Sequence, residues 1–592
     1  MSLIKTKIIS FWQRAKSAGL FLNFLRKTKL NQEEIDKRLV YALSPRKIPT
    51  NDQLKHLNKF LSPRESLVVR ICFLIILVNV IYLGVVFVKK HLQYLPVAGG
   101  EYIEGAVGYP KTINPLYAVN RGVDSDLSRL IYSSLLQYNQ NGRLENDLVN
   151  SIDISADNKE YLVKIKNNVK WHNGDKLSVD DVLFTFDIIK NSDYRSPLRF
   201  SFTGVEAEKI DDYTIKFTLS DPYAPFPELL TFGILPKNIW ENINPGTATL
   251  SDLNLKPIGS GPYKFKSLIK NKDGDLKEYR LTVNSDYYGQ APYIKNISFD
   301  FFVSYQEAIK AFNDNQISGL SYLPFDWRKE LLAKDSLKFH ELVQPQIIAL
   351  FFNRDKNKTL ADKDVRVALA TALDKEKIIS EVFGGIYPRV DGPILKENFA
   401  YTDTIQKYNY APDSAAATIK TKPLTAVLTV IDSGSNVIVA EKIKTYWASA
   451  GVNITLKVIS SEQASEVIKN RDFEIILYGE AVGGDPDVYS FWHSSQIGNK
   501  GLNLAGYNNP AVDSLLVEAR VTTNSDSRIA AYKKFQELVT ADLPAIFLYS
   551  PTYTYVQNNN LKGFSSSVII EPADRFSGVS GWYLKTKKKL TW

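Results

Sequence analysis

The sequence predicts an α/β protein of two or three domains set behind one transmembrane helix. Three observations carry this. Its 592 residues are enough for several full cores. Apolar residues recur at period two in some stretches and at helical spacing in others, and the two kinds alternate along the second half of the chain. Ile71 to Val88 is an uncharged run of 18 residues, with Arg70 before it and Lys89-Lys90 after it.

With Leu67–Val69 the apolar run approaches the ~20 residues that span a hydrocarbon core. A buried core helix and a cleaved signal peptide are the competing readings, and the second would need a basic leader of about 70 residues. Residues 1–70 hold 15 Lys and Arg against 5 Asp and Glu, and the rest of the chain 58 against 59. The basic side is therefore expected to be cytoplasmic and everything after Lys90 extracytoplasmic. The near-neutral remainder gives no support to a nucleic-acid partner. The expected order is a basic cytoplasmic segment at 1–66, a helix in the lipid bilayer at 67–90 and a linker at 91–100. In the basic segment Ile8, Phe11, Trp12, Phe21 and Phe24 stand among Lys and Arg. That suits an amphipathic helix on anionic lipid, or a partly disordered tail. The only cysteine, Cys72, lies inside the apolar run, so there is no disulfide framework and no lipid-bearing cysteine after it.

The globular part begins near Glu101. Ile103, Ala106 and Val107 suggest a strand, and a helix is expected through Leu127, Leu130, Ile131 and Leu135. From Glu160, Tyr161, Val163 and Ile165 alternate with Lys164 and Lys166 as a half-buried strand, which Val169-Lys170-Trp171 is expected to resume. Gly174 permits a turn, and Ser178 with Asp181 forms a capping box. Val179, Val182, Leu183, Phe186 and Ile189 then share one helical face. Lys209 to Phe217 reads as a hairpin with Asp211-Asp212 at its tip. Gly259-Ser260-Gly261 turns into a strand at Tyr263. Asp364 is expected to cap a helix whose Val365, Ala368, Leu369 and Ala372 face inward.

Beyond it, strands are expected at Val427–Ile431, at Ile454, Leu456 and Val458, at Phe473–Tyr478 and at Ala545–Tyr549. Helices fall at Asn436–Ala450, closed by Gly451, and at 509–521 and 526–541. Gly479 to Asp487 forms a loop at a strand's C-terminal end, where open α/β sheets bind ligands.

Catalytic signatures are missing: no nucleophile elbow, no paired-histidine zinc motif, no phosphate-binding loop. Asp180-Asp181 and Asp211-Asp212 serve caps and turns. The five histidines are far apart and His172 has no ligand partner nearby, so neither a metal site nor a cofactor is expected.

The ordered set of motifs resembles the family 5 extracellular solute-binding proteins, the oligopeptide-, dipeptide- and nickel-binding components of ABC importers. Trp171-His172-Asn173-Gly174 with Leu177, Asp181-Val182, Phe184 and Thr185 carries the hallmark. Ile131-Tyr132 with Leu135-Leu136 and Tyr138, Gly259-Ser260-Gly261-Pro262-Tyr263-Lys264-Phe265, Asn284 to Gly289, Phe351-Phe352-Asn353 and Asp364 to Lys375 follow in the family's order. The likeness runs from about residue 101 to 592.

It implies a bilobal periplasmic-binding-protein-like fold with an extra subdomain in the first lobe. The first lobe would be 101–345 with the subdomain at about 145–250, the second 346–546, and 547–592 would return to the first. It further implies capture of peptides by hinge closure and delivery to permease and ATPase subunits on other chains. Peptide-binding relatives place an acid three residues before an Asp/Glu-Pro dipeptide. Here the dipeptide is Asp485-Pro486 and that position is Val482. Ligand contacts are therefore expected from Tyr478, Gly479, Glu480, Ala481, Asp485 and Trp492 on the second lobe, and from Tyr109, Asn114 and Tyr117 on the first. A non-peptide solute, a membrane-tethered sensor and an extracellular hydrolase remain as alternatives.

Overall fold

The computed structural model describes residues 61–119, 121–331, 337–432, 434–498 and 501–590. The expected lipid-surface helix at the N-terminus lies outside them. The described chain divides into two compact units, residues 61–95 with 588–590, and residues 96–587.

The first unit is built on the helix Pro63–His91, which begins one turn before the expected span. Ser62 and Glu65 cap it reciprocally and Pro63 takes its first position, where a missing N–H is harmless. None of its residues is buried, and among the described residues it is the one helix long and apolar enough to cross a membrane. The stretch expected as a linker contains a strand, Leu92–Val97, paired with Lys585–Leu590.

The second unit holds the two lobes. A seven-stranded sheet runs in the order 337–343, 552–558, 319–320, 101–107, 296–302, 276–283, 263–270. A five-stranded sheet runs 453–459, 425–431, 475–481, 346–352, 545–549. The second sheet is covered on both faces, which explains its continuous apolar runs. In the strand Gln346–Phe352, Ile348, Leu350 and Phe352 enter one core while Ile347, Ala349 and Phe351 enter the other. A four-stranded sheet of 149–154, 160–165, 214–219 and 205–211 forms the subdomain with the capped helix Val179–Lys190.

The chain passes between the large sheets twice, at Gln344-Pro345 and at Ser550-Pro551, and Ser550 Oγ donates to the Gln344 carbonyl at 3.1 Å. The expected boundary after residue 546 falls inside the strand Ala545–Tyr549, which pairs on both sides of that point with Gln346–Phe352.

Arg575 fastens the C-terminal return to the first lobe. It is fully buried, and its guanidinium meets both carboxylate oxygens of Asp126 at 2.6 Å and Glu104 Oε1 at 2.9 Å. Tyr102 and Tyr555 donate to the other oxygen of Glu104. A side chain at Gly319 would strike the Tyr102 hydroxyl, so glycine is required for this network to close.

Further expectations are corrected. Gly479 to Ala481, expected in a loop, complete the strand Ile475–Ala481. The helix through Leu135 stops at Ile131, because the turn at Gly259–Gly261 packs on the Ile131 carbonyl and takes its hydrogen bond. Leu136–Tyr138 is instead a strand paired with Leu144–Asn146. Val169–Trp171 adds only a bridge between Lys170 and Lys176. Asp362, not Asp364, caps the helix Lys363–Thr371. Alternation in Asn453–Ile459 fails at Val458, which is exposed on this edge strand.

Candidate functional site

The strand Ile475–Ala481 runs toward the paired crossings and continues into Val482–Asp485. The Val482 N–H donates to the Pro345 carbonyl at 2.6 Å, which fixes this segment to the hinge. Gly483, Gly484 and Asp485 then wall a cavity of about 530 Å³. Its other walls come from Arg143 and Leu144, from Ala224 to Glu228 of the subdomain, from Leu395 to Phe399, and from Val568 and Ile570 of the C-terminal return.

Its electrostatics are uneven. Asp485 is buried and paired with Arg528 at 2.6 Å. Glu228 reaches across from the subdomain and lies against Gly483 and Gly484, where a Cβ would come within 3.1 and 2.8 Å of its carboxylate oxygens. Burial, and next the charge of Asp485, push the Glu228 carboxyl up to about 8, against hydrogen bonds from the Tyr138 hydroxyl and the Asp485 N–H and the charge of Arg528.

A second tie joins subdomain and second lobe. Tyr223 donates to Asp487 at 3.2 Å, Arg520 pairs with the same oxygen at 3.0 Å, and the Arg520 guanidinium lies over the Tyr489 ring at 4.3 Å. The Ala224 N–H donates to the Arg520 carbonyl at 2.8 Å.

The residues singled out from sequence scatter. Tyr478 and Gly479 are half-buried and Ala481 is exposed at the strand end. Glu480 points into the core between sheet and helices, fully buried, with neither oxygen hydrogen-bonded, and burial raises its carboxyl to about 8. Trp492 is fully buried in the same core and its indole N–H also lacks a partner. Asn114 is buried and bonded to Asn254 and to the Leu116 N–H. Tyr117 is core, and Tyr109 is half-buried with its ring edge-on to Phe301.

Only Asp485 lines the cavity. Sequence reading missed Arg143, Tyr223, Glu228, Arg520 and Arg528. Their partners lie up to 264 positions away, as in Tyr223 with Asp487, and no local spacing could reveal them. His172 is a turn clamp, with its two ring nitrogens on the Gly259 N–H and the Gly261 carbonyl. Among the described residues no group of three His, Cys, Asp or Glu is arranged to hold a metal ion.

Two α/β lobes joined by paired crossings, with a cavity between them, define a binding protein of the periplasmic type. A family model described as bacterial extracellular solute-binding proteins, family 5 Middle, matches residues 143–501. The chain belongs to this family, whose members are binding components of transporters and not enzymes. The oligopeptide-binding protein AppA of Bacillus subtilis is 27% identical over 531 residues, covering 83% of this chain and 92% of its own. Its structure with a nonapeptide superposes with a TM-score of 0.63 at 26% identity, over 83% of this chain and all of that one. The ABC transporter substrate-binding protein CtaP of Listeria monocytogenes gives a TM-score of 0.72 at 27% identity, over 82% and 99% of the two chains.

Proposed function

We propose that this chain is the membrane-anchored, extracytoplasmic binding component of an ABC importer for peptides, with the permease and ATPase on other chains. The observation that carries the peptide reading is an open main-chain edge beside Gly479 and Ala481. The strand Ile475–Ala481 pairs with Gln346–Phe352 along its whole length, but with Thr425–Ile431 only as far as Leu477. Because the Val482 N–H turns to Pro345, the two-residue period directs the main chain of Tyr478 and Glu480 to the paired side. That of Gly479 and Ala481 faces the open side. Their side chains are a hydrogen and a methyl, so an extended peptide reaches the main chain and pairs as an added strand. AppA, bound to a nonapeptide, supports the substrate class.

In this reading the lobes are 101–345, with the subdomain at about 145–250, and 346 to the second crossing, and the C-terminal segment returns to the first. Flexing at Gln344-Pro345 and Ser550-Pro551 encloses the ligand. Glu480 and Trp492 support the strand from behind, and Asn114 and Tyr117 support the first lobe from its core. The helix Pro63–His91 lies in the bilayer with its N-terminal side cytoplasmic, supported by its wholly unburied apolar surface and basic flanks.

Purified protein offered a mixed peptide pool is expected to retain peptides in native mass spectrometry. Retention of a non-peptide solute alone overturns the substrate class and leaves the binding role. Chain lacking residues 1–95 is expected in the soluble fraction after cell lysis, and its continued sedimentation with membranes overturns the anchor.

A further inference from the structure

We propose that Glu228, on the first lobe's subdomain, takes a primary ammonium group of the bound ligand. This rests on the peptide-binding reading above and adds where the ligand's positive charge is held.

The argument starts from charge balance in the cavity of about 530 Å³. Of the charged side chains on its wall, Asp485 and Arg528 satisfy each other. Arg143 and Glu397 are exposed. Glu228 is half-buried and, among the described residues, makes no ion pair. Two neutral groups, the Tyr138 hydroxyl and the Asp485 main chain, favour its charged form. A carboxylate withdrawn from water next to a second carboxylate is unfavourable unless a cation joins it. The site is also built for close approach. Side chains at Gly483 and Gly484 would meet the Glu228 oxygens, and one at Gly484 would meet the Tyr138 ring at 2.6 Å.

An independent observation lies behind Glu228. The residue also walls a smaller cavity of about 180 Å³, rich in hydroxyl groups. There the buried Tyr132 hydroxyl makes no hydrogen bond. A carboxylate without a cation partner, beside a cavity lined by hydroxyl groups, suits a small multiple donor, and an ammonium carries three N–H groups. The group's source is either the ligand's α-amino terminus or a lysine side chain.

The test is a cycle between one protein change and one ligand change. A peptide retained from the mixed pool is measured by calorimetry in its free and N-acetylated forms, against wild type and Glu228→Gln. Wild type is expected to lose at least tenfold in affinity on acetylation, and Glu228→Gln to bind both forms equally. If acetylation is silent, replacement of the peptide's lysine by norleucine is expected to give that same pattern. Equal affinity of wild type and Glu228→Gln for the uncharged form shows that the variant is folded. An equal loss in both proteins, or no loss from either ligand change, overturns the assignment and leaves peptide binding standing. No binding of any peptide overturns both.

Discussion

Arg528 Nη2 stands 2.6 Å from one carboxylate oxygen of Asp485 and 2.7 Å from the other, and both side chains are nearly buried at the second-lobe wall of the cavity. The guanidinium also acts on Glu228 without pairing with it. Removing it leaves two carboxylates together in a partly dry place. Arg528→Ala is expected to lower unfolding free energy by about 3–5 kcal/mol, read from urea denaturation. Adding Asp485→Asn should recover part of that loss. A decrease within about 0.5 kcal/mol, the range of ordinary surface changes, would mean the pair is solvated after all.

Affinity should depend on pH through Glu228. Burial, and next the charge of Asp485, push its carboxyl up to about 8, against the Tyr138 hydroxyl, the Asp485 main chain and the charge of Arg528. Below that pH the site is protonated, and binding a cation must expel the proton. Affinity for a peptide with a free amine is therefore expected to rise as pH increases from 6 to 8. It should then fall as the α-amino group, with an ordinary pKa of about 7.7–8.0, loses its own charge. Glu228→Gln should flatten the rising limb, and calorimetry across pH would show it.

Gly484→Ala tests the close approach. Its Cβ would come within 2.6 Å of the Tyr138 ring and 2.8 Å of Glu228. Those atoms come from a distant part of the chain across the cavity, so the clash falls on the contact between its two sides. Peptide affinity is expected to drop at least tenfold, about 1.4 kcal/mol, with the melting temperature of ligand-free protein nearly unchanged.

Glu480 gives a stability prediction of opposite character. Burial raises its carboxyl from 4.5 to about 8. The contribution from the protonated form is fully present below 4.5 and is lost as pH rises through 8, because the unfolded chain releases the proton earlier. Glu480→Gln keeps the shape and cannot ionise. Its melting temperature is expected to gain on wild type steadily between pH 5 and pH 8. A constant difference across that range would show Glu480 ionised within the fold.

Sequence carried the strands and caps well where the information is local. Ser178 and Asp181 cap their helix as the spacing implies, and the apolar runs in the five-stranded sheet reflect burial on both faces. The family order of motifs identified the architecture, and the match over residues 143–501 agrees with it. Local patterns failed where a distant segment decides. The helix ending at Ile131 is stopped by glycines 128 and more positions later, a contact that no window reveals. The cavity was least legible of all. Glu228 follows three prolines and reads as a turn residue, and its meaning appears only when Gly483 and Gly484 are brought against it. Conversely, Glu480 and Trp492 sit in a stretch that invites a ligand, yet strand alternation turns Glu480 inward and the short helix Tyr489–Trp492 buries Trp492 in the same core.

The ion cluster of Arg575 with Glu104 and Asp126 also bears on how the molecule matures. Glu104 and Arg575 are 471 positions apart, so the first lobe cannot close its core until nearly the whole chain has emerged. The second lobe uses one contiguous stretch between the crossings and meets no such delay. During synthesis and export it is expected to form first, while the strand Glu101–Val107 and its neighbours wait, exposed, for the C-terminal segment to arrive. That waiting period is when the protein is most open to proteases and to pairing with other chains.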